Sequence, residues 1–225
     1  MRMVRRTAKA LAGIALVPGL LVAQATETVS TNNGFNDSWF WGVNGGAMTF
    51  TAGVGSDVTV TAPMIGAEWF ITRSAIALRV TIQQAFFDEQ GEMFDPTVAG
   101  NVRPVNVENW RRYAAEVYFI PGSFGTMRPY AGLGLSLNLL RDAVPAGSFA
   151  TPEQMDEALD ATSRLSSRVA ATFTGGVQWQ LWRGAVFVQA SAMPTQRNFL
   201  FNRSHYTFLG EAGLRINMGT AIEKF

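Results

Sequence analysis

The feature that most constrains the fold of this chain is an alternation of apolar and polar residues. Its clearest copy lies near the C-terminal end, where one parity holds Tyr206, Phe208, Ala212, Leu214, Ile216 and Met218 and the other holds His205, Thr207, Glu211, Arg215 and Asn217. A period of two residues predicts a β-strand with one apolar and one polar face. Similar segments predict eight strands, at residues 38–50, 58–71, 75–87, 107–120, 127–140, 166–182, 185–195 and 205–218.

The first 25 residues have the three parts of a secretory signal peptide. The cations Arg2, Arg5, Arg6 and Lys9 precede an apolar run at residues 11–22 and the small-residue site Ala23-Gln24-Ala25. The apolar run is shorter than the ~20 residues with which a helix spans a bilayer. We therefore expect a cleaved signal peptide at residues 1–25, a periplasmic leader at 26–37 and a barrel domain at 38–225.

The connections between the predicted strands alternate between short and long. The short ones are residues 72–74, 121–126 and 183–184, and the long ones are 51–57, 88–106, 141–165 and 196–204. Bacterial outer-membrane barrels have this asymmetry, with short periplasmic turns and longer extracellular loops. The predicted fold is therefore all-β: an eight-stranded antiparallel transmembrane β-barrel with both termini in the periplasm.

The two parities of the strands predict two surfaces. The apolar parity predicts a lipid-facing band, with an interfacial aromatic girdle at Trp39, Trp41, Trp69, Phe119 and Trp179. The opposite parity assigns nine charges to the lumen: Glu68, Arg79, Glu108, Arg112, Glu116, Arg128, Arg168, Glu211 and Arg215. Asn44, Gln83, Asn138, Gln178, Gln180 and Gln189 lie between them. Side chains fill a barrel of eight strands, so we expect Arg–Glu pairs that plug it.

Two segments of the predicted strands stand out: Pro129-Tyr130-Ala131-Gly132-Leu133-Gly134-Leu135 and Glu211-x-Gly213-x-x-Ile216-x-Met218. Both resemble the small outer-membrane barrels of the OmpA/OmpX-like family. The second, with Phe225, is similar to the assembly signal that the barrel-insertion machinery reads, although residues 219–224 separate its two parts. The resemblance covers residues 38–218. We predict an integral outer-membrane protein, monomeric or weakly associated, with a mainly structural or surface-interaction role. Its implied partners are outer-membrane lipids, lipopolysaccharide and the assembly machinery.

Composition argues against several function classes. The chain has no cysteine, so we expect neither a lipoprotein anchor nor disulfide bonds nor thiolate chemistry. Without the four signal-peptide cations, 14 basic and 17 acidic residues remain, a net charge of −3. A net negative charge argues against the basic surface that a nucleic-acid-binding protein needs. The sequence also has no nucleotide fingerprint and no metal-ligand cluster, so we predict no cofactor, no metal and no enzymatic activity.

Three alternatives to a structural or surface-interaction barrel stay open. A small gated pore would use the same lumen charges, and an exchange of arginine partners would open a water path. A lipid A modifying enzyme would need the sole histidine, His205, to act with the Thr207 hydroxyl and the Glu211 carboxylate. A soluble lipocalin-like barrel would need the apolar parity to point inward.

Two predicted long loops carry acidic clusters. They are Asp88, Glu89, Glu92 and Asp95 in one loop and Glu153, Asp156, Glu157 and Asp160 in another. Their spacing matches no calcium-binding motif, so we interpret them as solvated faces, with divalent cations near lipopolysaccharide as the alternative. The run Thr151-Pro152-Glu153-Gln154 predicts the start of a short helix. We expect Met155 and Leu159 to pack inward from it.

Overall fold

The structure, a computed structural model, describes residues 35–55, 57–195 and 198–221. The predicted signal peptide, residues 26–34 of the predicted leader and Phe225 of the predicted assembly signal lie outside the described residues. Within them the chain forms β1 (Ser38–Ala52), β2 (Val58–Arg73), β3 (Ile76–Phe94), β4 (Val102–Phe119), β5 (Met127–Arg141), β6 (Val144–Pro145), α1 (Pro152–Leu165), β7 (Ser167–Leu181), β8 (Gly184–Pro194) and β9 (Tyr206–Thr220). A 3-10 turn spans Ala99–Asn101.

Eight of the strands close into a barrel in which each neighbouring pair is antiparallel. Strands adjacent in the wall follow one another along the chain, and β1 pairs with β9 to close it. The short strand β6 stands outside this order and pairs with Val105 and Asn106 of β4. The predicted fold class is confirmed.

The alternation along each strand separates a lumen face from an outer face. In β3, Ala77, Arg79 and Thr81 are buried, whereas Leu78 and Val80 are exposed. Every apolar side chain that the sequence assigns to lipid is exposed or half-buried on the outside. A continuous apolar exterior is stable where lipid replaces water. The soluble lipocalin-like alternative, which needs the apolar parity inside, is wrong.

The two ends of the barrel differ in their connections. The end that we name the turn end holds residues 74–75, 120–126 and 182–183. Ser38 pairs with Thr220 at the same end, so the first and last strands both begin or finish there. The opposite, loop end holds residues 53–57, 95–101, 142–166 and 195–205. The predicted separation of short turns from longer loops is confirmed.

Strands β3 and β4 are longer than predicted, with 19 and 18 residues. Most of the predicted loop at 88–106, including Asp88, Glu89 and Glu92, is therefore part of a projecting hairpin. A register shift between Phe86 and Glu89 sets two residues of β3 against one of β4. Such a β-bulge interrupts the alternation without ending the pairing. The sequence prediction ended both strands at this interruption.

Helix α1 lies in the connection between β5 and β7. The side chain of Thr151 accepts a hydrogen bond from the Gln154 backbone N–H (3.3 Å), and proline follows at the start of the helix. The Gln154 side chain accepts from the Ala150 N–H (2.6 Å). The predicted helix start is confirmed. Among the described residues, no helix is both long and apolar enough to cross a membrane.

The prediction that Met155 and Leu159 pack inward is wrong, since both are exposed. The buried residues of α1 are Ala158 and Thr162. Thr162 donates its hydroxyl to the Ala158 carbonyl (2.8 Å), and it also contacts the sulfur of Met93 (3.4 Å). These smaller side chains face the barrel, while Met155 and Leu159 occupy the flank of the helix.

An apolar cluster fills the interior at the loop end, and the sequence prediction missed it. This loop-end cluster includes Phe50, Trp110, Phe199, Leu200 and Phe201. The ring centroids of Phe50 and Phe201 are 4.9 Å apart, and those of Trp110 and Phe199 are 5.1 Å apart. The connection between β8 and β9 thus folds back into the mouth of the barrel.

A second cluster closes the interior at the turn end. It includes Phe35, Phe40, Phe70, Tyr118 and Tyr130. Tyr118 and Tyr130 stack with centroids 4.9 Å apart. Phe35, at the end of the predicted leader, packs against Phe40 and Phe70 at 5.8 and 6.2 Å. The interior therefore has apolar material at both ends.

The tight packing of Tyr118 gives a first prediction. A Cβ at Gly132 would overlap the Tyr118 ring, so we expect Gly132→Ala to lower the free energy of unfolding by about 1–3 kcal/mol, as overpacking does. Gly175 lies on the outer face, where nothing lies within 4 Å of such a Cβ, and Gly175→Ala is the matched control. Urea unfolding of the refolded proteins measures both changes. Equal stability of the two variants would contradict this packing argument.

Candidate functional site

Six of the nine predicted lumen charges meet in one network inside the barrel. Arg79 of β3 lies at its centre and binds three carboxylates. Its guanidinium donates from Nε to Glu68 (2.7 Å), from Nη1 to Glu116 (3.0 Å) and from Nη2 to Glu211 (2.7 Å). These glutamates belong to β2, β4 and β9, so one side chain joins four strands of the wall.

Two further arginines complete this lumen network. Arg215 donates from Nε to Glu68 (2.5 Å), and Arg112 donates from Nη2 to Glu116 (3.0 Å). All six side chains are fully buried. An unpaired ion in a low-dielectric interior costs several kcal/mol. Three arginines and three glutamates balance one another, and the network as a whole is neutral.

Uncharged side chains bind the edges of the network. Tyr118 donates its hydroxyl to Glu116 (2.9 Å), Gln189 donates to Glu211 (3.3 Å), Gln83 accepts from Arg112 (2.6 Å) and Gln178 accepts from Arg215 (2.6 Å). Strand parity predicts all three glutamines in the lumen. Tyr118 is not among the predicted lumen residues, although it has the same parity in β4 as Glu116.

Aromatic rings enclose Arg215 on two sides. Its Cζ atom lies 4.0 Å from the ring centroids of both Phe70 and Phe187. A desolvated guanidinium over an aromatic face gains on the order of 2 kcal/mol. These rings therefore offset part of the desolvation of Arg215. Phe70 has the inward parity of Glu68, and Phe187 has that of Gln189, although neither ring is among the predicted lumen residues.

Glu108 is not in the lumen, and its assignment there is corrected. It lies on β4 opposite the bulge of β3, and it is exposed. Val107 and Trp110 are both buried, so the inward parity of β4 changes between them. The prediction extended the parity of Arg112 through this irregular point, which placed Glu108 on the wrong face.

Arg128 and Arg168 are half-buried and lie apart from the network. Arg128 is at the turn end, where its Cζ lies 4.6 Å from the ring centroid of Phe35. Arg168 is at the loop end and donates from Nε to the Asn198 carbonyl (2.6 Å). Neither forms an ion pair with the described carboxylates, so the predicted set of nine charges divides into a central six and three outliers.

Comparison with solved structures identifies similar barrels. Neisserial surface protein A (NspA) aligns with 85% of this chain and 100% of its own, at 13% identity and a TM-score of 0.50. OprG from Pseudomonas aeruginosa covers 82% and 95% at 12% identity and a TM-score of 0.46. Ail of Yersinia pestis, in complex with the heparin analogue sucrose octasulfate, covers 81% and 98% at 8% identity and a TM-score of 0.44. No protein-family model matches the chain, and no curated protein matches it.

The chain has the fold of a small eight-stranded outer-membrane β-barrel. The predicted resemblance to the OmpA/OmpX-like family is confirmed for the fold. The structural similarity supports an integral outer-membrane protein.

The residues proposed for a lipid A modifying site do not come together in this outer-membrane barrel. His205 is exposed at the loop end, whereas Thr207 and Glu211 are buried in β9. Four residues along a strand separate Thr207 from Glu211, a distance of about 13 Å. The Glu211 carboxylate binds Arg79 instead. The three residues therefore do not form the predicted arrangement of base, hydroxyl and orienting carboxylate.

The aromatic residues predicted as a girdle lie on the outside of the barrel. Trp41, Trp69 and Phe119 are exposed, and Trp39 and Trp179 are half-buried. The Trp69 ring contacts Trp39 edge-on at 6.3 Å and stacks on Trp41 at 6.5 Å. Trp182, which the prediction omitted, is 80% exposed in the turn between β7 and β8.

Four of the residues predicted as an assembly signal lie in β9. Glu211 points into the lumen, whereas Ile216 and Met218 are exposed on the outside. Gly213 lies beside the Phe187 ring, which a Cβ at that position would meet. The strand therefore presents the predicted apolar pair outward, and the role of these residues in assembly stays a prediction.

At the loop end, two arginines hold the acidic residues of the connections. Arg203 donates to Asp57 (2.7 Å) and to Glu92 (2.5 Å), which joins the β8–β9 connection to the β1–β2 connection and to strand β3 of the projecting hairpin. Arg103 donates from Nε to Asp95 (2.5 Å). No group of three or more His, Cys, Asp or Glu side chains in the described ranges has an arrangement that could hold a metal ion.

The lumen network gives a second prediction. Glu116→Gln removes the charge that pairs with Arg79 and Arg112, so we expect a loss of about 3–5 kcal/mol in the free energy of unfolding. Glu108→Gln, on the same strand but exposed, is the control, and we expect a change within about 0.5 kcal/mol. Urea unfolding of the refolded barrels separates the two. A small change for Glu116→Gln would mean that Glu116 is not a charged member of the network.

The acidic residue at the hairpin tip gives a third prediction. Hydrogen bonds from Thr97 and Arg103 lower the pKa of Asp95 from 3.8 to about 2. A lowered pKa adds stability above about pH 4 that is lost as the pH falls toward 2. We expect Asp95→Asn to remove this part of the pH dependence of unfolding, and exposed Asp88→Asn to retain it. Unfolding curves measured between these pH values check the difference.

Proposed function

We propose that this chain is a non-conducting outer-membrane scaffold with a structural or surface-interaction role. The observation that carries the proposal is the filling of the interior at three levels. Aromatic rings occupy the turn end, the neutral Arg–Glu network occupies the middle and the loop-end cluster occupies the mouth. Eight strands enclose a space that side chains can fill completely. A filled barrel supports a plugged lumen better than a water channel.

The plug combines two kinds of barrier. The lumen network holds its charges by direct ion pairs, with Arg79 bound to three glutamates. Above it, Phe199 and Phe201 pack on Trp110 and Phe50, and apolar rings offer a passing ion no polar partner. An ion would have to break buried pairs and also cross an apolar layer, so both barriers favour a closed lumen.

The loop end supports the surface-interaction part of the proposal. Arg203 links the β8–β9 connection to Asp57 of the β1–β2 connection and to Glu92 of the β3–β4 hairpin. Leu200 donates its N–H to the carbonyl of Leu165, the last residue of α1 (3.2 Å). The connections are therefore held to one another and to the barrel. Rigidly held loops are suited to recognition. The exposed acids of α1, with exposed Met155 and Leu159 beside them, are the surface that we propose for contact with partners.

A small gated pore is the second candidate, and one observation favours it. A continuous series of side-chain hydrogen bonds runs from the turn end to the loop end, through Gln178, Arg215, Glu68, Arg79, Glu116, Arg112, Thr172, Ser136, Asn138 and Trp110. Exchange of partners along such a series would open a path for water. The apolar loop-end cluster would then be the remaining barrier.

The other expectations from the sequence complete the proposal. We propose export through the signal peptide, insertion by the barrel-assembly machinery and a monomeric state in contact with outer-membrane lipids and lipopolysaccharide. We propose no enzymatic activity, since His205, Thr207 and Glu211 are separated. The apolar outer face supports the lipid contact.

Conductance of the refolded chain in a planar bilayer tests the plugged lumen, and this is the fourth prediction. We expect no discrete openings from protein that gel mobility shows to be folded. Arg112→Ala and Glu211→Ala alter the lumen network, whereas Arg111→Ala changes an outward side chain of the same strand and is the control for Arg112. Openings of the unchanged protein that Arg112→Ala alters and Arg111→Ala does not would instead establish the gated pore.

A further inference from the structure

Four polar side chains meet inside the turn end of the barrel, below the lumen network. Gln178 accepts a hydrogen bond from Arg215 (2.6 Å). Arg128 of β5 is the direct cross-strand partner of Gln178 on β7. Gln180 follows on the same inward face of β7, next to the turn at 182–183. Gln178 and Arg215 are at most 1% exposed, and Arg128 and Gln180 are half-buried nearer the turn-end opening.

Each of these side chains has a buried polar atom without a partner in the described part of the chain. The donors are Arg128 Nε, Gln178 Nε2, Gln180 Nε2 and Arg215 Nη2, and the only acceptor is Gln180 Oε1. Buried polar groups are nearly always hydrogen-bonded in folded proteins. A group of unpartnered donors with one amide acceptor therefore indicates a site that a hydrogen-bond acceptor would fill.

The charges around this site have the sign that an anion needs. Three arginines and three glutamates of the lumen network cancel, and Glu68 is already bound by Arg79 and Arg215. Arg128 adds one positive charge, and no ion pair within the described ranges compensates it. The Phe35 ring on one side of its guanidinium supplies no full charge. The turn end of the lumen thus carries an excess of one cation.

We propose that this turn-end site binds a small oxyanion, a carboxylate or a phosphate group. Both present several acceptor oxygens, and the planar guanidinium of arginine binds them in pairs. A water molecule would satisfy some of the donors but would leave the charge of Arg128 uncompensated. The half-buried Arg128 and Gln180 give access from the periplasm, and Gln178 and Arg215 form the floor. This site lies beyond the proposed function, which does not depend on it.

The test is anion-dependent stabilisation of the chain refolded in a non-ionic detergent. Inorganic phosphate is titrated against chloride at constant ionic strength, and the unfolding temperature is followed. A ligand that binds only the folded state raises this temperature in a saturable way. We expect such a rise, and an apparent affinity about tenfold or more weaker in Arg128→Gln, because a charged hydrogen bond is lost. A parallel titration with acetate distinguishes a carboxylate ligand from a phosphate ligand.

Two further variants keep the test decisive. Gln180→Leu removes unpartnered polar atoms without a change of charge, and we expect it to weaken binding even where Arg128→Gln refolds poorly. Arg183→Gln removes an exposed arginine at the same end, and we expect unchanged binding. No saturable rise with either anion would overturn the proposal. Equal loss in Arg183→Gln and Arg128→Gln would also overturn it, because the effect would then be general surface charge.

Discussion

The contact of Arg79 with three glutamates is the interaction on which the rest of the lumen depends. Its donors point in three directions and reach Glu68, Glu116 and Glu211 on three different strands. Arg112 and Arg215 then bind the second carboxylate oxygens of Glu116 and Glu68, the ones that Arg79 does not contact. Without the central guanidinium, three buried negative charges would face two positive ones, and the cost of such an imbalance in a desolvated interior is severe.

The bilayer explains why the apolar residues are divided as they are. Within the wall, lipid takes the apolar parity outside, and the lumen receives polar side chains that must satisfy one another. Beyond the wall, the long β3–β4 hairpin projects past the bulge, and the loop-end cluster forms an ordinary apolar core between this hairpin, α1 and residues 199–201. The interior of the barrel is therefore polar in its middle and apolar at the loop end.

The sequence predicts the parts of this structure that follow from a period of two. It predicts which face of each strand meets lipid and which charges enter the lumen, because each strand has the same two environments along its length. The predicted lumen position is wrong for Glu108, because no residue type in the sequence indicates the β-bulge beside which the inward parity of β4 changes. The sequence prediction also fails at Phe199 and Phe201, because a loop has no periodicity that reports which distant rings it will contact. The lumen position of Tyr118 could have been predicted, since its parity matches that of Glu116.

The geometry of the lumen contacts also explains why the cations there are arginines and not lysines. A lysine ammonium is a compact, strongly hydrated point charge, whereas a guanidinium is planar, has five donors and stacks on aromatic faces. Arg79 uses these donors to bind three carboxylates, and Arg215 lies between Phe70 and Phe187 while it binds Glu68. The chain has only two lysines, Lys9 and Lys224, and both fall outside the residues that the structure describes. Planar, multidirectional donors are therefore what lets a narrow barrel hold a neutral network of six charges.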